Sequence, residues 1–343
     1  MEYFEREEPS WIAHLEGGQW QAVIALLLLA LPSLEEAEIE SYRSGDYGAR
    51  YINTALSYAT AQQRLPNPRN GLRKLRRVSM AYYDTTMGMS ISVLLIFCAL
   101  PSVTAAKIYM ANDDDDGQKI PSPAPQYNVE DLEFGNSNIT PEVLVKILRC
   151  FPKLKKLYYK DGSAAVSAAD FLPQYLGRGI AHLHDCLEEL TVCDKDVSPI
   201  GDEEPAFIGS LAKFKKLRKL NVNQVCLLKD DSKDDEDEPG EDLKPRLADL
   251  LPASLEQLTV WQCDSEIMVE LWDFLDHRKG ISSFLALKKV YIGFQEKYSS
   301  VSYTPPEMMR QQRRVENELI AKAKEIGVDV EIAPRKFMPG GRI

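Results

Sequence analysis

The stretch Leu100-Pro-Ser-Val103-Thr-Ala-Ala106-Lys-Ile108 repeats the apolar spacing of Leu31-Pro-Ser-Leu34-Glu-Glu-Ala37-Glu-Ile39. Each follows a strongly apolar run, VLLIFCA in the later copy and ALLLLA in the earlier one. The shared template is one apolar residue followed by others at +3, +6 and +8. It recurs at Leu72, Leu75, Val78 and Met80; at Phe151, Leu154, Leu157 and Tyr159; at Phe214, Leu217, Leu220 and Val222; and at Phe284, Leu287, Val290 and Ile292. Shorter matches are Val129, Leu132 and Phe134; Leu187, Leu190 and Val192; and Leu255, Leu258 and Val260, which brings the total to nine.

The +3 residues fall at positions 34, 75, 103, 129, 154, 187, 217, 255 and 287, at irregular intervals of 25 to 41 residues. Alternation at +6 and +8 fits a short strand with one buried face, and the preceding apolar run fits a helix. A single such coil cannot bury its own apolar edge, so successive coils must stack.

Three copies extend to the fuller pattern LxxLxLxxN/C. They are Leu187-x-x-Leu190-x-Val192, Leu217-x-x-Leu220-x-Val222-x-x-Val225 and Leu255-x-x-Leu258-x-Val260-x-x-Cys263. Cys263 occupies the Asn/Cys position, and Val225 departs from it. On these residues the chain resembles leucine-rich repeat proteins of the irregular, long-repeat kind found in F-box-associated and ribonuclease-inhibitor-like chains. The phrases LPSLEEAEI, FPKLKKLYY and LEELTV are similar to those of fungal F-box-type proteins. The resemblance covers roughly residues 20 to 295. It implies an α/β fold, a curved solenoid with short parallel strands on the concave face and helices on the convex face. It also implies a protein-interaction role, with substrate recognition in a ubiquitin ligase as the alternative. No F-box segment is recognisable.

Composition agrees with a folded interior: of 343 residues 44% are hydrophobic, forty are leucine, and 27% are charged. The net charge of −11 argues against nucleic acid as a partner. Two runs carry that deficit: Asp113 to Asp116, and Asp230 to Asp242, where nine acids stand against Lys233. Such runs read as solvated loops, with docking of a basic partner as the other reading. Six cysteines without a CxxC pair point to a reducing compartment. The acidic opening MEYFEREEPS does not suit a signal peptide, and the apolar run 22–31 is too short to cross a bilayer. A cytoplasmic or nuclear protein, monomeric and without membrane attachment, is the expectation.

One solenoid is expected over 1–343, with its repeats in 20–295 and longer inserts at about 41–71, 111–127, 161–180 and 229–245. Thr304-Pro-Pro-Glu307 reads as a capping box opening a helix to about Ile326. Gly327 would stop it, and Val328, Val330 and Ile332 would form a last strand. Arg310, Arg313, Arg314, Lys322 and Lys324 would give this terminal helix a polar outer face. Thr140-Pro-Glu opens an internal helix over 143–150.

Chemical motifs are sparse. Asn112-Asp-Asp-Asp-Asp-Gly117 begins like a calcium loop, but Pro123 stands where the bidentate glutamate belongs. His182-x-His184-x-Cys186 would share one face if it were a strand, without an identifiable fourth ligand. Asn138-Ile-Thr140 matches a glycosylation sequon, but it precedes Pro141 in a chain that reads as intracellular, so no glycan is expected. No phosphate-binding loop, nucleophile elbow or HExxH occurs, so no catalytic residue, metal or cofactor is assigned.

The repeat itself carries the site. With +6 and +8 buried, +5, +7 and +9 face the open side of the sheet. The +5 column, Glu36, Arg77, Ala105, Asp131, Lys156, Glu189, Lys219, Gln257 and Lys289, alternates in sign and reads as a stacking aid. The +7 column, Glu38, Ser79, Lys107, Glu133, Tyr158, Thr191, Asn221, Thr259 and Tyr291, loses its charges from Tyr158 onward. Lys160, Asn223 and Trp261 adjoin it at +9. An exposed aromatic and amide surface is what an interface centre requires, although tyrosine and threonine also simply suit strands. The expected partner-binding residues are Tyr158, Trp261 and Tyr291 as anchors, with Thr191, Asn221 and Thr259 supplying hydrogen bonds.

Overall fold

A computed structural model describes residues 11–41, 46–65, 72–82, 88–113, 124–162, 171–193, 207–228, 246–280, 286–294 and 306–333. Helices alternate with parallel strands, so the fold is mixed α/β. Two compact units are distinguished, one made of Met1–Leu154 with Asp161–Ala169, the other of Lys155–Lys160 with Asp170–Ile343.

The first unit contains helix α1 (Trp20–Ala30), strand β1 (Glu36–Ser41), α2 (Asp46–Gln63), β2 (Arg77–Tyr82), β3 (Met89–Ser90), α3 (Ile91–Cys98), β4 (Ala105–Tyr109), β5 (Ala111–Asn112), β6 (Asp131–Ser137) and α4 (Pro141–Leu148). Strands β1, β2, β4 and β6 pair side by side in parallel, and β3 pairs with β5. The second unit contains β7 (Lys156–Asp161), α5 (Pro173–Ile180), β8 (Glu189–Cys193), β9 (Lys219–Asn223), α6 (Gln224–Leu227), α7 (Leu247–Leu250), β10 (Gln257–Cys263), α8 (Glu266–Gly280), β11 (Lys289–Phe294), α9 (Pro306–Glu325) and β12 (Asp329–Ala333). Strands β7 to β12 pair in chain order, all parallel.

The template has a local structural meaning. In Leu34, Leu75, Val103, Leu154 and Leu255 the +3 N–H donates to the carbonyl three residues earlier, closing a turn before the strand. At +4, one carbonyl then receives two N–H groups from the next coil. In the first unit Glu35 receives Arg76 and Arg77, Arg76 receives Thr104 and Ala105, and Thr104 receives Glu130 and Asp131. In the second unit Lys155, Glu188, Arg218 and Glu256 do the same. This latch fixes the register, so the +6 and +8 side chains of successive strands lie over one another. From the second copy onward these residues are buried wherever they are described. Each buried leucine contributes about 1.5–3 kcal/mol.

Some expectations need correction. The stretch 41–71 is not simply an insert: it holds α2, whose Tyr51, Ala55, Leu56 and Ala59 are buried. Likewise 161–180 includes α5, with Leu176 and Ile180 in the core. Asp113 is not a solvated loop residue. It is buried, and its carboxylate accepts the Thr140 N–H at 3.1 Å and the Thr140 hydroxyl at 2.5 Å, at the start of α4. A carboxylate there also meets the positive end of the helix. Asp113→Ala is expected to cost about 1–3 kcal/mol in urea unfolding, because the half-buried Thr140 N–H and hydroxyl lose their charged acceptor. The remainder of that acidic run, 114–117, the run 229–245, and Thr304 of the capping box lie outside the described residues.

At the C-terminal end, α9 gives way to Gly327 with φ of 75°, and β12 follows as expected. Arg313 and Arg314 are exposed, but Lys322 is not part of a polar outer face. Its ammonium packs over the Trp272 ring at 4.0 Å and pairs with Asp276 at 2.5 Å, tying α9 to α8.

Candidate functional site on the open sheet face

Register settles which open-face residues meet. In the second unit Tyr158 lies opposite Thr191, Thr191 opposite Asn221, Asn221 opposite Thr259, and Thr259 opposite Tyr291. All five are half-buried, and Glu331 continues the row. At about 4.8 Å per strand, Tyr158 is therefore about 19 Å from Tyr291, with Thr191 between it and the centre. In the first unit the same column runs Glu38, Ser79, Lys107, Glu133, with Lys107 and Glu133 paired at 2.9 Å. Charge separates the two faces.

Three expected residues form one cluster. The Trp261 indole N–H donates to Asn221 Oδ1 at 2.7 Å, and its ring packs against Tyr291 with centroids 4.8 Å apart. The cause is a bulge. Val260 pairs with Ile292 and Cys263 with Phe294, so Trp261 and Gln262 together face Gly293 alone. Gln262 takes the left-handed conformation, φ of 51°, that such an extra residue requires. Its Oε1 accepts from Asn223 Nδ2 at 2.7 Å. Next to it Gln224 and Asp264 exchange two hydrogen bonds, and Asp264 also accepts the Glu266 N–H at the head of α8. The strained turn is thus held from β9 and from the following helix.

Gly293 makes room for the indole: a Cβ there would lie 2.4 Å from a Trp261 ring carbon. The first unit has the same device, with Tyr109 of β4 against Gly135 of β6, where a Cβ would stand 3.0 Å from the ring. Aromatic at +9 followed by glycine at +9 in the next copy was the missed signal. Asn223, expected on the open face, is instead buried, where it supports Gln262. Lys160, the other +9 residue, lies opposite Cys193.

Electrostatics around the row are balanced. Glu189 lies between Lys156 at 3.4 Å and Lys219 at 3.0 Å, as the alternating +5 column anticipates. Burial pushes its carboxyl up, but the Lys219 hydrogen bond and the charges of both lysines outweigh this and hold it below its ordinary value. A depressed carboxylate stabilises the fold above that ordinary value, and the contribution disappears as pH falls through the folded-state value. Glu189→Gln should therefore flatten the loss of melting temperature on acidification below about pH 4.5; an unchanged profile would contradict this pairing. Partial burial, then the charge of Glu331, raises the Tyr291 phenol, opposed by Lys289. The phenol stays protonated at neutral pH and can both donate and accept.

No protein-family model and no curated protein matches the chain. The remaining motifs gain nothing from the geometry. Ala181–Leu183 form a 3-10 turn rather than a strand, so His182, His184 and Cys186 do not share a strand face, and His184 pairs with Asp185 at 2.9 Å. Among the described residues no group of three or more His, Cys, Asp or Glu side chains could hold a metal. Asn138 of the sequon is buried. Cys263 is buried too, with its thiol pushed upward by burial and its Sγ donating to the Val260 carbonyl. Among the described residues no helix is long and apolar enough to cross a membrane.

Proposed function

We propose that the chain is a leucine-rich-repeat solenoid that works without catalysis, capturing a protein partner on the open sheet face of its second unit. The carrying observation is the Trp261–Tyr291–Asn221 cluster, two large rings set by a bulge beside an uncharged polar row. Rings held in place before binding lose little entropy, and large aromatic residues dominate interface energies. Trp261 and Tyr291 are the anchors, Asn221 and Thr259 supply hydrogen bonds beside them, and Tyr158 with Thr191 forms the far margin.

Purification of tagged protein from its source cells, with the Trp261→Ala/Tyr291→Ala double variant beside it, tests this reading. A partner enriched with the parent chain and lost with the variant is expected. Equal recovery from both would overturn the site. The alternative, a substrate receptor of a ubiquitin ligase, rests on the fungal F-box resemblance and predicts a cullin adaptor recovered equally by both. A cytoplasmic or nuclear location and a monomeric state accompany the main reading.

A further inference from the structure

Among the described residues β1 pairs with β2 alone, which leaves its other edge free. The first copy of the template is also the only one whose strand residues stay partly open: Leu34, Ala37 and Ile39 are half-buried, while their described counterparts are buried. Helix α1, which precedes β1 in the chain, exposes Trp20 at 74%, Leu27 at 52% and, just past its end, Leu31 at 45%. Single exposed apolar residues are ordinary, but Trp20 and Leu27, seven positions apart, share one helix face.

We propose that the free edge of β1 receives an extended segment of a partner protein in which Lys or Arg alternates with Val, Ile or Leu. Charge selects this occupant. Residues 11–41 contain five glutamates and neither lysine nor arginine, and Glu36, Glu38 and Glu40 are exposed on the open side of β1. Two acidic strand positions within the protein take basic partners from neighbouring strands: Glu189 holds a lysine on each side, and Glu36 holds Arg77 at 3.0 Å on the β2 side. A strand added to the free edge would set its basic residues opposite Glu36, Glu38 and Glu40, and its apolar residues beside Ala37 and Ile39.

Other occupants carry the wrong charge. A second copy pairing β1 with β1, apolar faces matched, would set glutamate opposite glutamate. Pairing β1 with β12 of a second copy, in the register used between neighbours here, would oppose Glu36 to Asp329 and Glu38 to Glu331. Residues 1–10 hold four glutamates against Arg6.

Fluorescence anisotropy on the full chain, with labelled peptides KVKIKV, KKKVIV and EVEIEV, tests the proposal. KVKIKV should bind best, and Glu38→Lys/Glu40→Lys should weaken it about tenfold or more while improving EVEIEV. Glu38→Gln/Glu40→Gln, checked by circular dichroism, gives the loss alone should the lysine variant misfold. Equal binding of KVKIKV and KKKVIV, or binding unchanged in both variants, would overturn the proposal by assigning the affinity to general negative charge. A parent dimer in sedimentation that the variants dissociate would overturn it in favour of a second copy.

Discussion

Gly177→Ala is expected to destabilise the second unit by about 3 kcal/mol, the upper end of overpacking costs. Helix propensity alone gives the opposite sign, since alanine in a helix interior is favoured over glycine by about 0.5–1 kcal/mol. The geometry decides. A Cβ on Gly177 would lie 1.8 Å from the Ile208 carbonyl oxygen and 2.9 Å from its carbon. Neither is the yielding end of a side chain. Ile208 is itself pinned, with its N–H donating to Cys226 at 2.9 Å and its side chain buried. Helix α5 would have to move away from this segment. Urea unfolding should show a lower midpoint, and a change within about 0.5 kcal/mol, the range of an inconsequential substitution, would refute the close approach.

Gly293→Ala should weaken partner capture about 30-fold while sparing the fold. The new methyl would meet Trp261 ring carbons at 2.4 and 2.7 Å, so the indole must leave its seat. It would give up both the bond to Asn221 and the packing on Tyr291. Displacing a central anchor of this kind costs about 2 kcal/mol or more of binding, about a 30-fold loss. Trp261→Ala should lose as much, and Trp261→Phe less, because a ring remains over Gly293. A shift of tryptophan emission to longer wavelength in Gly293→Ala would report the indole entering water. Unchanged emission together with unchanged capture would contradict the arrangement.

Much of this architecture is written in local spacing. The +3, +6 and +8 residues announce the turn and strand of each coil because both are short-range structures, and the strand register follows once the +4 latch repeats. Sequence therefore places Asn221, Thr259 and Tyr291 in one row. It does not reveal that Trp261 reaches back to Asn221, because that depends on a bulge at Gln262, and a bulge leaves no mark in apolar periodicity. Gly293 carried a readable sign, since a glycine inside a strand often marks close approach of a neighbour. Asp113 is the opposite case. Its acidic neighbours suggest solvation, and only the parallel stacking that brings Thr140 beside it shows a buried carboxylate holding the residue that opens α4. The helices over 46–63 and 173–180 were obscured because their apolar faces lie in stretches whose length breaks the repeat interval.

The decisive measurement is site-specific photocrosslinking of the captured partner from two positions in the second unit. One crosslinker replaces exposed Gln257, on the open face of β10, and the other replaces exposed Val269, on α8. The account predicts a partner adduct from position 257 and none from position 269. An adduct from position 269 alone, or capture of the partner with no adduct from 257, would contradict it.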